Sequence, residues 1–162
     1  MKKRHGFVSN SSSSSFLVID KSGDVDNSLE GIEGEYSFGD KGVTEFGWGP
    51  ETLQDIFSRI NFAYLQATYF EESNAEKFIQ GSNTYLGMLE EVIMSNSKIT
   101  GISWVISSDY DKSKSDGMVW GYIDHQSSAC DGANMEIFDN MEILKNFIFG
   151  KNSIIEVQND NS

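Results

Sequence analysis

Apolar residues recur along the chain with two different spacings, and the change of period marks the elements. Leu53, Ile56, Phe57, Ile60, Tyr64 and Leu65 follow at steps of three and four, the spacing of one helix face. Pro50 is the sole proline and stands where such a helix would begin, with Glu51 and Asp55 in its opening turns, so a helix is expected from there to Phe70. A second helix is expected after Ser82-Asn83, with Leu86, Leu89, Val92 and Ile93 on one face, and a short helical piece over 74–80 between the two. A third covers 139–149, with Met141, Leu144, Phe147 and Ile148 facing inward.

Elsewhere the pattern is that of strands. Phe16-Leu17-Val18-Ile19 is a short apolar run closed by Asp20-Lys21-Ser22-Gly23. Residues 20–42 are rich in Gly, Asp and Glu and read as loops with an edge strand at Tyr36-Ser37-Phe38. Val43 to Trp48 alternates, as do Ile102–Ile106 and Met118–Ile123, and Ser153–Val157 is a last strand. Ser107–Gly117 reads as a polar, hairpin-like loop. Helices and strands mix without a βαβ rhythm. The expected fold is therefore α+β: one domain over 1–162, three main helices, and a mixed or mostly antiparallel sheet of about four to six strands. Residues 1–6 are expected to be flexible and 158–162 to form a polar tail.

Composition narrows the function classes. A chain of 162 residues with 38% hydrophobic residues can bury a sizeable core. Its net charge of −13 disfavours direct contact with nucleic acid or an anionic membrane. The charge is uneven: Lys2, Lys3 and Arg4 precede any acid, and the chain from Asp20 onward holds all 25 acids but only 9 of the 12 basic residues. Cys130 is the single cysteine, so no internal disulfide forms and a reducing compartment is expected. No apolar segment suggests a signal peptide or a membrane span.

Candidate chemistry lies in two polar stretches. Asp124-His125-Gln126-Ser127-Ser128 directly follows an expected strand, where a rigid element aims a loop. His125 would be the acid/base there, with Asp124 and Ser127 beside it. Neighbouring residues of an extended strand point to opposite faces, so the carboxylate that orients His125 would come from elsewhere, for instance Asp109, Asp111 or Asp160. A turn histidine making structural hydrogen bonds is the simpler reading of the same residues. His125-Gln126-Ser127 also resembles the His-x-Ser element of two-histidine phosphoesterases, but His5-Gly6-Phe7 does not supply the second element.

The second stretch is Ser9-Asn10-Ser11-Ser12, the start of a serine run bracketed by Phe7-Val8 and Phe16–Ile19. Its hydroxyls and amides could cradle an anion, helped by Lys2, Lys3 and Arg4, or could bond local backbone in a plain turn. No Gly-rich phosphate loop is present. Asp24-Val25-Asp26-Asn27-Ser28 and Asp109-Tyr110-Asp111-Lys112-Ser113 faintly suggest calcium loops, but Leu29 and Lys114 stand where the sharp turn needs glycine. Neither a cofactor nor a metal is expected.

The opening Lys2-Lys3-Arg4-His5-Gly6-Phe7-Val8-Ser9-Asn10-Ser11 through Phe16 resembles the start of small, mostly uncharacterised proteins of tailed bacteriophages and prophages, and Gly121–Ser127 is similar to a stretch of the same group. The resemblance implies a viral or prophage origin and a place in the cytoplasm of a bacterial host. It implies no activity. The leading expectation is a small acidic accessory protein that binds a host or phage protein with a basic surface, as an inhibitor of a nucleic-acid-handling or defence enzyme. The alternative is a hydrolase of a phosphorylated or nucleotide-like small molecule that uses His125. The serine run and Asp124–Ser128 are expected to lie side by side.

Overall fold

A computed structural model of the chain describes residues 13–18, 25–46, 51–73, 84–108, 118–123 and 136–159. Those residues form eight short strands and three helices: β1 (Ser13–Val18), β2 (Glu33–Phe38), β3 (Glu45–Phe46), β4 (Glu51–Leu53), α1 (Ile56–Ser73), α2 (Tyr85–Ser95), β5 (Lys98–Trp104), β6 (Ile106–Ser108), β7 (Val119–Ile123), α3 (Met141–Phe149) and β8 (Ile154–Asn159). The class is α+β with three helices, and the strands are mixed in direction.

β8 is central to an antiparallel trio, with β1 on one side (Ser13 opposite Asn159, Val18 opposite Ile154) and β4 on the other (Glu51 opposite Val157). Three serines of the run are thus strand residues, and β8 continues to Asn159, past the Val157 at which the sequence suggested it would end. β4 occupies positions read from the sequence as the start of the first helix. That helix begins later, at Ile56, because Asp55 is its cap: an Asp55 carboxylate oxygen accepts from the Ser58 amide at 2.9 Å.

The remaining strands run parallel. β2 pairs with β5, and β7 lies between β6 and β3. Val105 joins the two groups: its amide donates to Phe38 O and its carbonyl accepts from the Val119 amide. β5 and β6 are therefore one strand interrupted at Val105, and the eight segments make seven strands. Ile106 lies opposite Val119 in parallel register, so the link after β6 is a crossover and not a hairpin. Ser107 and Ser108, read from the sequence as the start of a polar loop, are strand residues of β6, and residues 109–117 lie outside the described residues.

A short link, Gly39–Thr44, crosses from β2, which pairs with β5, to β3, which pairs with β7. Gly39 makes the crossing possible: its φ is +126°, and a Cβ there would sit 2.5 Å from Ile106 Cγ1. The link is fastened to α1, whose Ser58 hydroxyl accepts from the Val43 amide and whose Asn61 side-chain amide donates to Lys41 O and Val43 O.

α1 is the centre of the core. Ser58 through Ala67 are buried at every position but Tyr64, so this helix is enclosed on nearly all sides and is not amphipathic in the ordinary sense. α2 and α3 match their sequence patterns. α2 starts at the Thr84 cap and buries Met88, Leu89, Val92 and Ile93; α3 starts at the Asn140 cap and buries Leu144, Phe147, Ile148 and Phe149. The helical piece expected at 74–80 lies outside the described residues. Aromatic rings bind the layers together: Tyr64 of α1 stacks on Trp104 at 4.3 Å, and Phe46 of β3 meets Phe62 edge-on at 5.3 Å.

Candidate functional site

The sequence-derived site residues lie outside the described residues: His125, Asp124 and Ser127 in one stretch, Ser9, Asn10, Ser11 and Ser12 in the other. Their neighbours are placed. Ile123, which directly precedes Asp124, is the last residue of β7 and pairs with Phe46. Ser13, which directly follows Ser12, opens β1 opposite Asn159.

Within the described residues the most elaborate polar arrangement surrounds Arg59, which is fully buried. One guanidinium nitrogen, Nη1, donates to Phe147 O at 2.9 Å, Ile148 O at 2.6 Å and Gly150 O at 2.8 Å. The other, Nη2, donates to Gln54 O and to Asp26 Oδ2, each at 3.0 Å, and Nε also reaches Gln54 O. The end of α3 is thereby fully accounted for. Its last carbonyls have no partner within the helix, and Arg59 takes two of them together with Gly150 O. Phe149 O accepts from the Asp26 amide, and Asn146 O from the Gly150 amide and the Ser153 hydroxyl. A cation at a helix C-terminus also meets the negative end of the helix dipole.

Burial pulls the Arg59 guanidinium below its ordinary pKa, while the negative charges of Asp26 and Asp55 and the Asp26 hydrogen bond oppose the fall. With its donors engaged, Arg59 is a structural clasp joining α1, the end of α3 and the Asp26 turn. Asp26 is committed as well, since its second oxygen accepts from the Ser28 amide at 2.8 Å and from the Ser28 hydroxyl. Its carboxylate is occupied by protein groups, and no cluster of metal-ligating side chains occurs among the described residues.

Beside this clasp opens a cleft of about 290 Å³, at the N-terminal end of the β2/β5 pair. Val25, Leu29 and Phe149 give it an apolar floor; Asn27, Glu30, Asn96, Ser97 and Lys98 give it a polar rim. Asn96 and Ser97 are held in place by capping α2, through bonds to Val92 O and Ile93 O. Val25 is half exposed, which is unusual for a residue of its type in this fold.

The surface near the cleft is acidic. In β2 Glu33, Glu35 and Ser37 are exposed and Tyr36 and Phe38 are turned inward, while Gly34, between the two glutamates, lies at φ +78°. The register shift at Gly34/Glu35 adds its extra residue, Thr100, to β5. Glu35 lies over Gly101, Ser37 and Ser103 share a hydroxyl–hydroxyl bond of 2.6 Å, and Lys98 Nζ approaches Glu33 at 3.5 Å with both side chains mostly in solvent.

No protein-family model matches this chain, and no curated protein or solved structure matches it. No helix among the described residues is long and apolar enough to cross a membrane.

Proposed function

We propose that this is a small acidic accessory protein of a tailed phage or prophage, at work in the cytoplasm of the bacterial host, that acts by binding a host or phage protein with a basic surface. An enzyme that handles nucleic acid or defends the cell is the kind of target such a surface suits.

The observation that carries this reading is the unneutralised charge of the surface. Among the described residues Glu30, Glu33, Glu35, Asp40, Glu45, Asp55, Glu91, Asp139 and Glu142 are exposed, against Lys41, Lys98 and Lys151. The one exposed ion pair among them is the loose Lys98–Glu33 contact. Acids left without counter-ions repel phosphate and attract cationic protein surfaces, and complementary charge raises association rates and partner specificity. The buried arginine does not relieve the excess, because its charge is spent inside the fold.

The test is capture of partners from a bacterial lysate at low salt on immobilised full-length protein. A stoichiometric, basic-surfaced protein that elutes as salt is raised is the expected result. Capture of nothing, or of a partner held equally at high salt, overturns the proposal.

A further inference from the structure

We infer that the outer edge of β2, together with the cleft at its start, is the docking surface for an extended segment of the partner that carries lysine or arginine at alternate positions. This deepens the binding function proposed above and rests on it.

Three observations converge. First, β2 has β5 on one side and no second backbone partner among the described residues, so its outer amides and carbonyls can template an added strand. Second, its exposed face carries carboxylates at alternate positions, Glu33 and Glu35, and residues on an added strand would stand directly across from them. Glu35 has no ion-pair partner among the described residues, and Glu33 has only Lys98 at 3.5 Å. Third, the cleft lies at the start of the β2/β5 pair, lined by Glu30 and Gly31 just before β2 and by Asn96, Ser97 and Lys98 at the start of β5. Its floor of Val25, Leu29 and Phe149 suits the methylene stem of a long cationic side chain, with Glu30 at the rim for the charged head. Lys98 lines the same cleft, so the incoming cation displaces a resident one. A basic extended peptide fits all three; a nucleic acid fits none, since its phosphates would face Glu30, Glu33 and Glu35.

The probe is a fluorescein-labelled octapeptide of alternating lysine and valine, titrated with the full chain and followed by anisotropy. Saturable binding is expected, weakened about ten-fold or more by Glu33→Lys/Glu35→Lys, a change equivalent to about 1.4 kcal/mol. Lys98→Gln is expected to tighten binding a few-fold. N-methylation of one of the two alternate residue sets of the peptide should abolish binding, and methylation of the other should not. Both substituted sites are exposed, and an unchanged urea midpoint confirms that the variants fold.

The assignment is overturned by absent binding, by equal affinity in the double charge-reversal variant, by equal affinity for a peptide of four lysines followed by four valines, or by a dimer of this chain that Glu35→Lys disrupts. Failure here is distinct from failure of the binding function. If the double variant still captures its lysate partner in a salt-sensitive way, β2 is not the site but the function stands. If the peptide binds and no lysate partner exists, the surface stands and the function falls.

Discussion

Replacing Arg59 by methionine tests the clasp at the end of α3. The substitution keeps much of the side-chain volume but removes every donor. Phe147 O, Ile148 O and Gln54 O lose their hydrogen-bond donor from Arg59, and Asp26, whose side chain is only 18% exposed, loses its counter-ion. Removing one partner of a buried pair costs about 3–5 kcal/mol, and that figure already includes most of the cost of unsatisfied acceptors. Gly150 O keeps the Ser153 amide and Asp26 Oδ1 keeps Ser28, which argues for the middle of the range. A loss of about 4 kcal/mol would lower Tm by roughly 8–16 °C in a domain of this size.

The assay is urea unfolding followed by tryptophan fluorescence, with wild type, Arg59→Met, Arg59→Lys, Asp26→Asn and the Arg59→Met/Asp26→Asn double variant. Lysine keeps the charge but cannot fork between α3 and Gln54, so it should recover only part of the loss. The double variant should be less destabilised than the sum of the singles, because no unpaired carboxylate is left behind. A loss below about 1 kcal/mol in Arg59→Met would show that the α3 carbonyls find other donors and would refute the clasp.

Other expectations concern the cap, the crossing and the sheet. Asp55→Ala should cost about 1 kcal/mol by leaving the Ser58 amide without its cap, measurable by the same urea titration. Gly121→Ala should cost about 1–3 kcal/mol, because its Cβ would collide with Ile106 Cγ2 and crowd Leu65 Cδ2 between β6, β7 and α1. Gly39→Ala should destabilise by a similar amount, about 1–3 kcal/mol, since the new Cβ meets Ile106 and the backbone already sits at positive φ. Lys98→Gln should leave the unfolding free energy within about 0.5 kcal/mol of wild type in the same urea titration, as expected for a long, exposed ion pair.

The sequence was most legible where one face of an element is buried. α2 and α3 were read correctly because Leu89, Val92 and Ile93, and Leu144, Phe147 and Ile148, fall on single helical faces. α1 was read less well because the rule of one apolar face fails for a helix enclosed on nearly all sides. Arg59, Asn61 and Gln66 are polar, yet all three are buried. Arg59 carried a signal that could have been used: it adjoins Ile60 and precedes Phe62 and Ala63, leaving no continuous polar face for it to join. Pro50 misled because proline suits a helix start and a strand edge alike, and the capping group was Asp55 five residues on. The parallel pairing of β6 with β7 was not legible, since strand direction is set by tertiary crossovers that alternation does not encode. Of the proposed binding surface, the acid excess was legible in composition. The alignment of Glu33 and Glu35 on one exposed strand face, next to a cleft, required the fold.

The most direct measurement on the proposed function is the association rate of the captured partner as a function of ionic strength, by stopped flow. Attraction between an acidic surface and a basic one predicts an association rate that falls at least about ten-fold between low and physiological salt, with a dissociation rate that changes little. An association rate indifferent to salt would contradict the claim that this acidic surface is what recognises the partner.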